Sequence, residues 1–372
     1  MSREPRLLVL SDLGGWASQW DQLVDQSPLP SPFQRSWWLI GTGGARICFL
    51  LVVDDNRLLG GVALQNGWRL GLPCFRMLGA GPLCPDHLDL LAAPGEEDVV
   101  VRVVGEWLRR PGARLFDLEG IRADSRLIAV LPGHVRHELL TVAPWVALPA
   151  DFEDYRAARS ASFRRNLRRA STRLTAEGAT VRIERGASAV RSLGAFRQLH
   201  SAHWGDRSHF LPSFERFATA CRLAAEVDEV AFHELIVGET IIAIFVTFEV
   251  ARRVSLYQSA RLTDDRWRDA ATVLLAAVIA DACTRGLAEV DFLRGDEGYK
   301  NGFAPEQREL LRLRAAHGRA GRVALVVDTA ARKFRRLVGR LISGVGPRGR
   351  LGPRRPGGRS PDPGGLPVTS PP

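Results

Sequence analysis

Lysine is almost missing from this chain: Lys300 and Lys333 are the only two among 51 basic side chains, and arginine supplies the rest. Five cysteines (Cys48, Cys74, Cys84, Cys221, Cys283) are odd in number and lack CxxC spacing. That argues against a zinc site and a disulfide framework and fits a reducing cytoplasm. No apolar run reaches the roughly 18–20 residues of a membrane span. The opening MSREPRLLVLSDLGGW is too charged and short for a signal peptide. These absences point to a cytoplasmic protein, with peripheral contact at the inner face of a membrane left open.

What is present is a globular composition, 45% hydrophobic and 25% charged over 372 residues, which is length for two ordinary domains. The net charge of +10 suggests nucleic acid until it is located. From Arg322 onward there are eleven Arg/Lys and two Asp, a net +9, so about +1 remains for the preceding residues. The basicity belongs to a tail, and nucleic acid is an unlikely partner.

In chain order, residues 1–150 read as strands followed by helix, strand and helix, a mixed α/β layer domain. Arg46–Asp54 and Leu58–Gln65 are predicted strands joined at Asp55-Asn56. The aromatic cluster Phe33, Trp37 and Trp38 reads as core packing against a sheet rather than as a ligand stack. Residues 151–320 form a second predicted domain. Its opening helix, Arg159–Leu174, sets an apolar stripe (Phe163, Leu167, Ala170, Leu174) against six arginines. Arg164 and Arg165 on that surface read equally well as a solvated face or as a rim for an anionic ligand. His200 and His203 have i, i+3 metal-ligand spacing but no third ligand, so a packed or surface pair is favoured and no metal is expected. Ser213 is a candidate cap for the helix Leu211–Ala225. Glu229–Val237 and Thr240–Glu249 are a predicted hairpin, with Arg253–Ala260 as the next strand. Residues 321–345 read as a basic amphipathic helix suited to an anionic membrane or to the body of the protein, and 346–372 as a disordered Pro/Gly/Arg-rich tail.

The densest chemistry lies in Val290–Phe303, VDFLRGDEGYKNGF. A strand-like run turns through Gly295 and Gly298 and brings Arg294, Asp296, Glu297, Tyr299 and Lys300 close together. The buried helix Thr272–Gly286 precedes it, and the strand Arg253–Ala260 and a basic loop precede that. This order places a site at a strand end, beside a helix start able to hold phosphate. A tight turn held by salt bridges is the bland reading of the same residues.

Taken in order, SFRRNLRRASTRLTAEG (162–178), FRQLHSAHW (196–204), IIAIFVTFE (241–249), SLYQSA (255–260) and DFLRGDEGYKNGF (291–303) resemble a GNAT-type acyltransferase. More narrowly the chain resembles the CelD/BcsL-like acetyltransferases of cellulose or exopolysaccharide biosynthesis. SPFQRSWWL, LLGGVALQ and FRMLGAGPLCPDHLDLL extend the likeness over about residues 30–315. The more distant relatives are Fem-type aminoacyl transferases. The resemblance implies two tandem GNAT-like domains, each a mixed sheet flanked by helices, with acetyl-CoA or another acyl-CoA as cosubstrate. It also implies an amine acceptor, on a small molecule or a glycan precursor of the cell envelope. On that basis Tyr257, Gln258 and Ser259 lie on the pantetheine strand, and Arg266, Arg268 and Ala271 at the pyrophosphate. Asp291, Asp296 and Glu297 are the candidate bases, Tyr299 the acid for the thiolate, and Lys300, Arg294, Glu297, Arg164 and Arg165 the acceptor contacts. The loop 262–271 departs from the family in lacking its glycine-rich Q/RxxGxG/A signature. Two other readings remain: aminoacyl transfer from charged tRNA to a peptidoglycan precursor, and a non-catalytic scaffold of polysaccharide machinery.

Overall fold

Thirteen strands form one sheet in the computed structural model, which describes residues 4–295 and 297–343. In the first part of the chain they are β1 (Arg6–Leu10), β2 (Ile47–Asp54), β3 (Arg57–Arg69), β4 (Leu72–Met77), β5 (Leu91–Ala92), β6 (Arg114–Arg122) and β7 (Arg136–Ala147). The rest are β8 (Ala179–Arg185), β9 (Val230–Val237), β10 (Thr240–Val250), β11 (Arg253–Arg261), β12 (Glu289–Asp291) and β13 (Glu306–His317). Their order is β1-β2-β3-β4-β6-β13-β7-β12-β11-β10-β9-β8, with β5 against β3.

The two halves are built alike. β1 to β4 are antiparallel and β4 then pairs β6 in parallel; β8 to β11 are antiparallel and β11 then pairs β12 in parallel. Each parallel pair is completed by an antiparallel strand from the opposite half. β13 adds to β6, β7 adds to β12, and β7 and β13 pair with each other along the seam. The expected mixed α/β architecture with two similar halves is thus present, joined by a strand exchange that composition did not foretell.

Local sequence accounts for most elements. The Ala161–Ala176 helix starts where the Ser160 hydroxyl accepts from the Phe163 amide at 3.1 Å, and it buries Leu167, Ala170 and Leu174. The Ala270–Thr284 helix is apolar nearly all round and ends before Gly286, whose φ of 67° suits glycine. Phe33, Trp37 and Trp38 pack in the core against Phe248 of β10 and Tyr257 of β11; the Phe33 and Tyr257 rings are 5.3 Å apart. One detail differs: the helix Phe214–Glu226 receives no side-chain cap from Ser213.

β13 was not foreseen. Its sequence, EQRELLRLRAAH, carries arginines that look solvent-facing. Arg312 and Arg314 are instead buried, paired with Asp117 on β6 and with Asp328 of the Gly318–Ser343 helix respectively. No helix among the described residues is long and apolar enough to cross a membrane.

Candidate active site

The parallel pairing of β11 and β12 lasts three residues: Arg253 opposite Glu289, Val254 opposite Val290, and Ser255 opposite Asp291. β12 stops there, while β11 runs on to Arg261 beside β10. Register with β10 shifts between Thr247↔Leu256 and Val246↔Gln258, so Tyr257 is an extra residue that bulges β11. Past Ser255, that edge of β11 has no strand partner among the described residues, and its peptide groups face a cleft. Phe245, Leu256, Gln258, Ser259, Leu275, Phe292, Tyr299 and Lys300 line it. The cleft is narrow, with about 10 Å³ of free volume.

The turn after β12 is held by Asp291, which is wholly buried. One carboxylate oxygen accepts the Leu293 amide at 2.8 Å, closing a turn in which Leu293 adopts a left-handed φ of 53°. The other lies 3.0 Å from His87 Nε2, 3.0 Å from Arg308 Nη1 and 3.2 Å from Arg253 Nη2. Burial alone would raise the Asp291 pKa. His87, Arg253 and Arg308 outweigh it and hold the carboxyl well below the usual carboxylate range. Glu289 shares both arginines, at 2.5 Å from Arg253 and 2.8 Å from Arg308.

Arg294 reaches into the first half. Its backbone amide and guanidinium both donate to Asp86, at 2.8 and 2.7 Å, and Nη2 donates to the Pro85 carbonyl at 3.0 Å. Lys300 is also buried. Its Nζ donates to the Phe292 and Arg294 carbonyls at 3.2 and 3.0 Å and pairs with Glu297 at 2.8 Å. Two ammonium protons thus have carbonyl acceptors and the charge faces Glu297, while burial draws the Lys300 pKa down against the pull of Glu297. Tyr299 faces the cleft. Burial, and secondarily Glu297, raises its pKa, so the phenol keeps its proton at neutral pH.

The residues expected at the site separate into two groups. Gln258, Ser259, Tyr299 and Lys300 meet around the cleft with Glu297 behind them, and Asp296 lies outside the described residues. Tyr257 contributes backbone, because its hydroxyl donates to the Leu83 carbonyl at 2.7 Å within the aromatic core. Asp291 and Arg294 are committed below the turn to the contacts given above, so neither is free to reach an acceptor. Arg164 donates to the Ala157 and Arg159 carbonyls at 2.9 and 2.6 Å and closes the end of the preceding helix, whereas Arg165 is exposed. Arg266 ion-pairs with Glu177 and stacks on Trp267 at 4.5 Å, and Arg268 is exposed next to Asp269. Ala271 is in the first turn of the Ala270–Thr284 helix, where amides lack intrahelical acceptors. His200 is buried and bonded to Ser208 at 3.0 Å, and no His/Cys/Asp/Glu group among the described residues is arranged to hold a metal.

Sequence reasoning missed the partners that hold the turn: Asp86 and His87 from the first half, Arg253 on β11 and Arg308 on β13. A signal was present. PLCPDHLDLLAA sets Asp86, His87 and Asp89 inside an apolar run, where buried polar groups need partners from elsewhere.

At this place a bulged strand parts from a parallel neighbour, with a helix start beside the gap. Residues 161–301 match the family model described as an acetyltransferase (GNAT) domain. No curated protein matches the sequence. Among solved structures, the fold is similar to FemX, with 11% identity and a TM-score of 0.58 over 80% of this chain and 95% of that one. It is also similar to the C-terminal domain of an Agrobacterium fabrum protein named as a lysylphosphatidylglycerol synthetase. That match has 12% identity and a TM-score of 0.53 over 85% of this chain and 95% of the other. A conserved Bacteroides thetaiotaomicron protein of unknown function aligns at 12% identity and a TM-score of 0.53, over 80% and 97% of the two chains. At these identities the likeness is one of fold.

Proposed function

We propose that the chain is a GNAT-type N-acyltransferase that takes acetyl-CoA or a related acyl-CoA and acylates an amine of a polysaccharide or cell-envelope precursor. The observation that carries this reading is the cleft between β11 and the 292–300 turn, within the stretch that matches the GNAT domain. A thioester chain laid along the open edge of β11 would find unpaired peptide groups there, and the β11 amides at the bulge would stabilise a tetrahedral oxyanion. The donor's phosphates would meet the first-turn amides of the Ala270–Thr284 helix, with Arg266 and Arg268 adding charge.

In transfer, the amine nitrogen bonds to the thioester carbon and the carbon–sulfur bond breaks. The proton lost by the amine must reach a base, and the thiolate must be protonated. Tyr299, kept protonated by burial, suits the second step. Glu297, ion-paired with Lys300 of the cleft lining, suits the first. Lys300 sets the turn that presents Tyr299, and Asp291 anchors that turn from below.

The proposal extends to where the enzyme works. Along the Gly318–Ser343 helix, Val323, Val326, Val327 and Phe334 are exposed at helical spacing, with Phe334 66% accessible. The excess of basic residues from Arg322 onward complements an anionic lipid surface.

Calorimetric titration with acetyl-CoA and desulfo-CoA tests the donor assignment. Saturable binding that weakens in Arg266→Ala with Arg268→Ala supports it. No binding of either, together with aminoacyl transfer that requires charged tRNA, would replace it with the Fem-like reaction.

A further inference from the structure

The first half has its own opening at the equivalent place. β4 and β6 pair in parallel over Cys74↔Leu115 and Phe75↔Phe116 and then part, as β11 and β12 do. The resulting cavity, of about 220 Å³, is unlike the apolar cleft of the second half: Arg69, Arg76, Arg312 and Arg332 line it with Asp117 and Glu119. It falls below the roughly 300–1,000 Å³ of sites for drug-sized ligands, so it suits a small ion or the charged end of a larger molecule.

The charges there leave one guanidinium over. Arg312 grips Asp117 through Nε and Nη2, both at 2.7 Å, and reaches Glu119 with Nη1 at 2.9 Å. Arg332 adds a contact to Asp117 at 2.9 Å and one to Asp328 at 2.9 Å. Arg69 lies 3.3 Å from Asp117 and 2.5 Å from Asp328, and Arg314 pairs with Asp328 and, at 3.4 Å, with Glu138. Four carboxylates, Asp117, Glu119, Glu138 and Asp328, therefore serve these four arginines. Arg76, on the exposed side of β4, is a fifth guanidinium, with no carboxylate partner among the described residues. Burial, with repulsion from Arg312 and Arg69 added, lowers the Arg332 pKa even though Asp117 is beside it.

Guanidinium forks that converge on a polar cavity with positive charge to spare match the geometry of phosphoryl oxygens. We propose that this cavity binds a phosphate or diphosphate group, with Arg76 closing on the anion and Arg312 and Arg332 forming its inner wall. The site is separate from the cleft of the second half and does not depend on the reading given for it.

The test is titration of the full chain carrying Arg266→Ala and Arg268→Ala, which disables the other phosphate position, with inorganic phosphate and inorganic pyrophosphate. One saturable event is expected for at least one of the two anions. Adding Arg76→Ala should weaken it by about tenfold or more, the loss of one charge-assisted hydrogen bond. Adding Glu119→Gln instead should tighten it, by freeing Nη1 of Arg312. That gain is not expected from a residue with a purely structural role. No saturable event with either anion, or a constant unchanged by Arg76→Ala, overturns the proposal.

Discussion

Replacing Asp291 by asparagine separates a structural anchor from a catalytic base. The side chain keeps an acceptor for the Leu293 amide and loses only the charge that faces His87, Arg253 and Arg308. Arg253 and Arg308 would then share Glu289 alone. Removing one partner from a buried ionic cluster costs about 3–5 kcal/mol, well above the ~1 kcal/mol of a neutral hydrogen bond. Urea unfolding at neutral pH should show that loss as a lower midpoint with an unchanged slope. The pH dependence has a definite sign. The native carboxyl has a pKa below its unfolded value, so its contribution is present in full above the unfolded pKa of about 4 and disappears as pH falls through the native one. The stability gap between wild type and Asp291→Asn should stay constant above about pH 5 and close below about pH 4. Transfer by the folded variant should remain within about tenfold of wild type, since loss of a general base costs about 10²–10⁴-fold. A stability loss under about 1 kcal/mol accompanied by a rate loss of that size would refute the anchoring role and make Asp291 the base.

Three further outcomes are expected. Tyr299→Phe should lower the transfer rate about 10²-fold with an unchanged unfolding midpoint, and steady-state rates beside a melting curve check both. Lys300→Met removes the cation that holds the Phe292 and Arg294 carbonyls and Glu297, so transfer should fall together with protection of the Arg294 and Gly295 amides in hydrogen exchange. Equal exchange in wild type and variant would count against the bracing role. Vesicles of anionic lipid should sediment wild type more than Val327→Glu with Phe334→Glu, and neutral vesicles should sediment neither; equal sedimentation of both proteins removes the membrane proposal.

The elements that were legible were those whose own periodicity or turn residues define them. The strands either side of Asp55-Asn56, the hairpin at Gly238 and the helix closing at Gly286 all fall where local chemistry puts them. Of the stretch Val290–Phe303, the gathering of side chains was legible, since Tyr299 and Lys300 both line the cleft. What could not be read was pairing at long range. Arg312 resembles a surface arginine until Asp117, nearly two hundred residues earlier, is known to lie beside it. Asp291 and Arg294 resembled reactive groups for the same reason: their partners, His87 and Asp86, come from a loop in the other half. A buried charge is recognisable only together with its counter-charge.

The exchange of β7 and β13 has a consequence for synthesis on the ribosome. β6 ends at Arg122, but the strand that covers its open edge ends at His317. At the usual pace of translation, the first half waits roughly 10–40 s with that edge unpaired. During this time β7, whose final neighbour β12 is also unmade, is the nearest strand able to cover it. A nascent chain that settled into such a pairing would have to release it before the seam could form. Folding of this protein therefore includes a late closing step, in which two half-built sheets are completed together once β13 has been made.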